Sequence, residues 1–423
     1  MTNPTIDAIA HVEEKARRAK NASILMRVIS SAVKDAAINA MAAALLARQD
    51  EIMAANARDL EAGREKGLSS AMLDRLKLTA ARIEDIAAGC RQVAALDDPV
   101  GRVLGGWSQP NGLKIEQVRT PLGVIGVIFE SRPNVSVEAA ILCLKAGNAV
   151  ILRGGSEAIH SNILLAKIIS RAAQEAGIPD GAIEMIETTD RAATNHLVTL
   201  NEYVDLVVPR GGEALKKSLM AVATVPLIFA AGGVCHIFVD ESADLESAVE
   251  IIHNAKVQRP STCNALETLL LHRQIADEFL PKVCAKLQSS GVELRGDEYS
   301  LQAAPGLKAA TNEDWKAEYG ELILAIRVVE DVDKAIAHIG EFGTGHSDAI
   351  LTQNYARAEK FVSQVDSAAV YVNASTRFTD GFEFGLGAEV GISTQKLHAR
   401  GPMGLEALTS TKYIVRGNGQ IRE

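Results

Sequence analysis

What the chain lacks narrows its class before any motif is read. It has only five cysteines, Cys90, Cys143, Cys235, Cys263 and Cys284, widely spaced and with no CxxC pair. That excludes a disulfide framework and a cysteine-rich zinc site, and suits a reducing compartment. It lacks a basic excess: the formal net charge is −9, which argues against nonspecific binding of nucleic acid. An anionic ligand would therefore need local positive groups rather than a global field. No apolar run reaches the roughly 18 residues of a membrane span, and Met1–Ala10 shows no basic-then-apolar signal pattern. A soluble, cytoplasmic protein is expected, with no nucleic-acid or membrane partner. Neither GxGxxG nor GxxxxGK[ST] occurs, so the ordinary dinucleotide and P-loop fingerprints are absent. Aromatics are sparse, at 4 %, and alanine abundant, which suits helices packed closely on a sheet.

What is present is a long α/β pattern. The 423 residues suffice for two or three domains. Ile6–Lys20, Ser23–Leu46 and Asp50–Lys66 have helical spacing and few breakers. Leu68-Ser69-Ser70 and Thr79 offer caps for two further helices, the last running to about Ala95. Gly105-Gly106 and Pro110-Asn111-Gly112 then mark turns. Leu113–Arg119, polar at Lys114, Glu116 and Gln117, reads as an exposed ribbon strand. It is either an edge for pairing with another subunit or a plain surface hairpin. From Gly123 to about Asp240 short apolar strands alternate with helices, including strands at Leu227–Ala230 and Val234–Val239. That alternation predicts a parallel sheet covered on both faces. A second alternating region runs from Thr268 to about Gly404, with Phe378–Gly391 as a cleft-lining loop, and Ser410–Val415 is free to join the ribbon.

Three stretches carry candidate chemistry. Arg153-Gly154-Gly155-Ser156 and Arg210-Gly211-Gly212 each follow a strand and open a helix. Glycines admit close ligand approach, and a helix N-terminus attracts phosphate; a plain strand-to-helix turn explains the same letters. Gln258-Arg259-Pro260-Ser261-Thr262-Cys263-Asn264 lies between an amphipathic helix, roughly Asp244–Ala255, and a buried strand, Thr268–Leu271. Its donors favour a thiolate, although a free cysteine is often just a small buried hydrophobe. The window alone leaves both readings open.

Longer strings resolve that choice: Pro121-Leu122-Gly123-Val124-Ile125-Gly126, Phe129-Glu130-Ser131-Arg132-Pro133-Asn134-Val135, Lys145 to Glu157, Gln258 to Asn264, and Ile392 to Gly404. Through them the chain resembles the aldehyde dehydrogenase superfamily along nearly its whole length, and specifically its phosphate-linked, glutamate-handling branch. The resemblance implies an α/β fold, aldehyde-dehydrogenase-like, with two parallel-sheet α/β domains plus a small β oligomerisation element. Residues 1–105 and 124–255 would bind NADP(H), residues 256–405 would carry the nucleophilic cysteine, and residues 106–123 with 406–423 would form the ribbon of a homo-oligomer.

The activity implied is NADPH-dependent reduction of L-glutamyl 5-phosphate to L-glutamate 5-semialdehyde and phosphate, through a cysteine thioester, in proline biosynthesis. NADPH/NADP+ is the implied cofactor, and functional association with glutamate 5-kinase the implied partnership. Cys263 would be the nucleophile and Asn134 the oxyanion donor; read alone, Asn134 is more often a turn residue after proline. Arg153, Gly154, Ser156, Glu157, Arg210, Gly211, Gly212 and Glu318 fall to the cofactor. Arg132, Arg259, Ser261 and Asn373 fall to the substrate, arginine being suited to phosphate and carboxylate. No metal is implied. Aldehyde-oxidising relatives carry a water-activating glutamate where this chain has Ala230-Ala231-Gly232-Gly233-Val234, without a carboxylate. A thioester meant for hydride and phosphate should not meet activated water; alternatively Glu213 or Glu267 does that work. Two competing functions are a water-using aldehyde dehydrogenase, disfavoured by that gap, and a silent partner of the kinase, disfavoured by the presence of Cys263 and Asn134.

Overall fold

The computed structural model describes residues 4–422; residues 1–3 and 423, the outermost positions of the expected domains, lie outside them. The chain divides into two compact units, one of Met1–Ala230, Gly385–Gly391 and Met403–Glu423, the other of Ala231–Phe384 and Ile392–Pro402.

The first unit begins with helices Pro4–Met26, Ser31–Ala47, Gln49–Glu65, Ser70–Leu76 and Ala80–Ala94. The expected helix Ser23–Leu46 is broken in two. Ser30 is extended and its side chain accepts from Val33 N at 3.4 Å, which starts a new helix there. Val28 N and Ile29 N turn back onto Leu25 O and Met26 O. Ser69 and Thr79 cap as their types favour, accepting from Met72 N and Arg82 N. Alanines at 8, 16 and 19 of the first helix pack against Val124, Ile128 and Ile151, so small side chains let a helix lie close on the sheet.

That sheet has four parallel strands in the order Ile183–Met185, Ala149–Gly154, Val124–Phe129, Leu206–Arg210. Every residue of Val124–Phe129 is buried, as in a strand covered on both faces. The order reverses between Val124–Phe129 and Leu206–Arg210, which makes the carboxyl end of that pair the topological switch point. Leu227–Ala230 is less than the strand expected. It makes a single bridge, Val207 to Leu227, because the next donor on the neighbouring strand would be Pro209, which has no N–H. A separate antiparallel sheet joins Val103–Ser108, Lys114–Pro121 and Thr409–Arg416. Its outer strand Val103–Ser108 is exposed throughout.

The second unit holds seven parallel strands in the order Lys308–Ala309, Glu293–Gly296, Ile323–Val329, Leu266–His272, Cys235–Val239, Ser347–Leu351, Ala369–Val372. Cys235–Val239, grouped by sequence with the earlier repeats, pairs instead with Leu266–His272 and Ser347–Leu351. Alternation announces strands but not which sheet they join. Both central strands are buried at every residue, and Leu269, Leu271, Phe279 and Ile326 form their core. Removing one such side chain, as in Leu269→Ala, costs about 2–5 kcal/mol. Among the described residues no helix is long and apolar enough to cross a membrane.

Candidate active site

In the second unit the cysteine loop hangs between two rigid elements. Helix Leu245–Val257 is capped by Asp244 and ends at Gln258. Pro260 follows, and Thr262 closes the turn, its N–H and hydroxyl both donating to Arg259 O, at 3.3 and 2.8 Å. Strand Leu266–His272 then enters the sheet. Cys263 is therefore half-buried while the other four cysteines are buried. Burial pushes the thiols of Cys90 and Cys284 up to about 12 and raises those of Cys143 and Cys235 well above the usual thiol range, so those four stay protonated and inert.

The loop is held from below and from the side. Cys235 Sγ donates to Cys263 O at 3.2 Å. Gly233 packs so closely that a Cβ there would lie 1.6 Å from the same oxygen, a contact only glycine allows. Asn264 Nδ2 donates to Thr379 O at 2.9 Å and Arg377 O at 3.2 Å, and Thr376 Oγ1 donates to Asn264 O at 2.7 Å. Behind them runs a hydroxyl chain: Tyr371 Oη to Thr379 Oγ1 at 2.6 Å, Thr379 to Ser347 Oγ at 2.6 Å, Ser347 to His346 Nδ1 at 2.8 Å. Burial lowers His346 to about 4, so this imidazole is neutral. Ser261 is exposed beside the thiol, and Arg259 is exposed one residue before Pro260.

Glu318 reaches the same region. Its Oε1 accepts from Gly233 N at 3.1 Å, and a Cβ on Gly232 would meet its Oε2 at 2.2 Å. Glu267 is a different kind of carboxylate. It is fully buried, bonded to Lys256 Nζ at 2.6 Å and to Gly320 N at 3.1 Å. Burial pushes Glu267 up to about 7 and Lys256 down, each opposed by its partner's charge. Asn373 follows strand Ala369–Val372 with φ of 55°. Its amide is bonded to the backbone of Thr352 on both sides, at 2.8 Å each, which gives it a backbone-locking role whether or not it meets substrate.

In the first unit the remaining candidates gather at one end of the four-stranded sheet, because Phe129 pairs with both Gly154 and Arg210. Glu130 lies at the switch point, its N–H donating to Arg210 O and its Oε2 accepting from Gly212 N at 3.2 Å. A Cβ on Gly211 would meet Glu130 Oε2 at 2.6 Å. Ser131 is left-handed, φ 44°, and its hydroxyl donates to Glu157 at 2.8 Å, so Glu157 braces the Arg132–Asn134 turn. Asn134 opens helix Asn134–Lys145 and donates from Nδ2 to Glu138 Oε1 at 2.7 Å, leaving its second amide hydrogen for another acceptor.

Arg153 donates to Gly154 O at 2.9 Å and Thr189 O at 3.3 Å. Its Nε is buried without a partner among the described residues, and burial lowers its guanidinium. Ser156 starts a short 3-10 turn before helix Ile159–Glu175. The helix end that sequence offered to a phosphate is already filled: Asp59 accepts from His160 N, Ser161 N and Ser161 Oγ, at 3.1, 2.8 and 2.6 Å. Arg210, by contrast, bonds Val390 O.

A family model described as aldehyde dehydrogenase family matches residues 4–314. The chain belongs to the aldehyde dehydrogenase family. A relative named gamma-glutamyl phosphate reductase from Moorella thermoacetica is 57% identical over 412 residues, covering 97% of this chain and 99% of that one. Another of the same name, from Halothermothrix orenii, is 56% identical over 409 residues, covering 97% and 98%. The crystal structure of gamma-glutamyl phosphate reductase from Thermotoga maritima superposes with a TM-score of 0.96 at 50% identity, covering 98% of this chain and 100% of that one.

Within the aldehyde dehydrogenase fold, the residues that sequence reasoning passed over are those that position the cysteine loop: Cys235, His346, Arg377 and Thr379. Arg377 Nε donates to Gln258 Oε1 at 2.8 Å and its Nη1 bonds Asn264 Oδ1. The one available signal was the Thr-Arg-Phe-Thr string at 376–379, which nothing in local spacing links to Cys263. Glu267, considered above as a water-activating base, is committed to Lys256 and Gly320; the side chain of Glu213 lies outside the described residues.

Proposed function

We propose that the chain reduces L-glutamyl 5-phosphate to L-glutamate 5-semialdehyde and phosphate with NADPH, the second step of proline synthesis from glutamate. The observation that carries the reading is the thiol. Of five cysteines, Cys263 alone is half-exposed, in a chain 57% identical over 97% of its length to a gamma-glutamyl phosphate reductase.

Cys263 as thiolate attacks the C5 carbonyl. The C–S bond forms, the C–O bond to phosphorus breaks with its electron pair on the leaving phosphate, and a thioester remains on Cys263. Dividing the reduction this way turns one hard step into two easier ones. Asn134 is proposed to donate its second amide hydrogen to the tetrahedral oxyanion; one such donor is worth roughly 10²–10³ in rate.

A nicotinamide cofactor fits the first unit's residues. Arg153 keeps a buried donor without an acceptor among the described residues, Gly211 and Gly212 admit close approach at the switch point, and Glu130 and Glu157 supply acceptors there. When bound, NADPH supplies the hydride that converts thioester to aldehyde. Arg153, Gly154, Ser156, Glu157 and Arg210 to Gly212 are proposed to hold it, with Glu318 taking its ribose hydroxyls. Arg132, Arg259, Ser261 and Asn373 are proposed for the substrate, cytoplasm for the location, and hand-over from glutamate 5-kinase for a labile acyl phosphate. The exposed strand Val103–Ser108 supports the ribbon as a pairing edge between copies of the chain.

The test runs the reaction backwards, mixing glutamate semialdehyde and NADP+ with enzyme, with and without inorganic phosphate. NADPH should accumulate over many turnovers only when phosphate is present. Sustained turnover without phosphate would mean water takes the acyl group, and the reading would fail.

A further inference from the structure

We propose that Arg377 and Arg259 together form the subsite for the phosphoryl group that leaves as Cys263 attacks. This rests on the acyl-phosphate reading above and adds a residue, Arg377, that no sequence pattern assigned.

Arg377 spans the cysteine loop. It bonds Gln258 at one end through Nε at 2.8 Å and Asn264 at the other through Nη1, while its own carbonyl accepts from Asn264 Nδ2 at 3.2 Å. The guanidinium is thereby fixed across the stretch that carries Cys263, and its Nη2 takes no protein acceptor among the described residues. Arg259 lies on the same loop. Neither arginine enters an ion pair among the described residues, whereas others, such as Arg357, Arg295, Arg18 and Arg119, do. Burial lowers the Arg377 guanidinium and the nearby positive charge of Arg259 lowers it further, partly offset by the Cys263 thiol and by Asp380. Two like charges near one another, neither held in an ion pair among the described residues, suit an anion.

The chemistry says which anion. In an acyl phosphate the phosphate oxygen is bonded to the carbon under attack. That carbon must come within about 3–3.5 Å of the nucleophile, so the phosphate is the anionic group nearest the thiol. The α-carboxylate lies at the far end of the substrate's carbon chain. Arg259, on the loop of Cys263, and Arg377, bonded across it, therefore meet the phosphate. They also stabilise it as negative charge grows on the departing oxygen, which is where binding accelerates the step.

The experiment uses the reverse reaction, because its two anions arrive on separate molecules. Inorganic phosphate carries one, and the semialdehyde carries the carboxylate alone. For Arg377→Gln we expect KM for phosphate to rise about 10- to 100-fold, the range of a lost charge-assisted hydrogen bond. KM for semialdehyde should move less than threefold. Arg259→Gln, which leaves in place the backbone carbonyl that holds Thr262, should show the same phosphate-selective loss, and Arg377→Lys should recover part of it. A binding readout covers variants too slow to assay: inorganic phosphate should slow iodoacetamide alkylation of Cys263 in the wild type and not in Arg377→Gln.

If both Gln variants keep the wild-type KM for phosphate and its protection, the subsite is wrong while the reductase reading stands. A rise confined to semialdehyde KM assigns the pair to the α-carboxylate and also overturns the proposal. So does an equal loss toward both substrates in Arg377→Gln with Arg259→Gln unaffected, which would make Arg377 a brace for the loop. Wild-type turnover indifferent to phosphate removes the acyl-phosphate reading itself, and the subsite with it.

Discussion

Cys235 and Cys263 stand one hydrogen bond apart and have opposite fates. Cys235 begins a central strand whose every residue is buried, and burial drives its thiol far above the usual range. Cys263 sits where a helix has ended and a strand has not begun, half-exposed. The residue type is the same and the neighbourhood nearly so. What differs is the backbone: one position is inside the hydrogen-bonded ladder and dry, the other on a loop that the ladder supports. A thiolate is the nucleophile, and a dry strand cannot hold one. Cys235 spends its proton on Cys263 O instead, a supporting contact.

The largest effect expected from this contrast is on activity. Cys263→Ala should lose at least about 10³-fold in kcat, because no other half-exposed thiol stands on the loop. Cys235→Ala should keep kcat within about fivefold, since it removes one weak S–H bond. Circular dichroism should show both variants folded. Mass spectrometry after brief iodoacetamide treatment of the wild type should find the label on Cys263. If Cys235→Ala were the dead variant, the nucleophile would be misassigned and the comparison inverted.

A smaller effect is expected where the two cysteines are joined. Gly233 lets the Cys263 carbonyl lie against the turn that precedes Cys235, where a Cβ would fall 1.6 Å from that oxygen. Gly233→Ala must push the loop away, so overpacking should destabilise by about 1–3 kcal/mol. kcat should fall roughly 10- to 100-fold, since even 1 Å of misplacement can cost that much. Thermal unfolding and reverse-direction kinetics measure the two separately. An unchanged kcat in a destabilised variant would show that the loop does not need this support to aim its thiol.

The contrast also marks what sequence could show. The Gln258–Asn264 string was legible because its letters are local and specific, and the cap at Thr79 because capping is set within three residues. Arg377 was not legible: it lies 113 positions from Asn264, and only the sheet order brings it there. The surroundings of the Arg153 to Ser156 turn were legible only in part for the same reason. Its letters describe an open helix end, and Asp59, 102 positions earlier, closes it on Ser161. Cys235–Val239 read correctly as a strand, yet pairing with Leu266–His272 and Ser347–Leu351 is decided by contacts that no period of two can encode. Periodicity reports a residue's own element; partners chosen across a hundred residues come from packing.

The smallest effect belongs to the dry side of the pair and appears as pH dependence of stability. His346 Nδ1 lies 3.9 Å from Cys235 Sγ and bonds Ser347 Oγ at 2.8 Å. Burial lowers it from 6.5 to about 4, whereas the unfolded chain takes up a proton near 6.5. The unfolded state therefore binds more protons between those values, so stability rises with pH across the window. The contribution is complete above about 6.5 and is lost as pH falls toward 4. At pH 4.5 the loss from this one imidazole is about 2 kcal/mol. His338, lowered by burial to about 3, adds a slope of the same sign. Carboxylates such as Asp314, held at about 2, act only at lower pH. Urea midpoints at pH 7.5 and 4.5 should fall in the wild type, and less steeply in His346→Gln, which has no proton to take up. An equal fall in both would mean that His346 meets water, and the side of the sheet that keeps Cys235 protonated would not be dry.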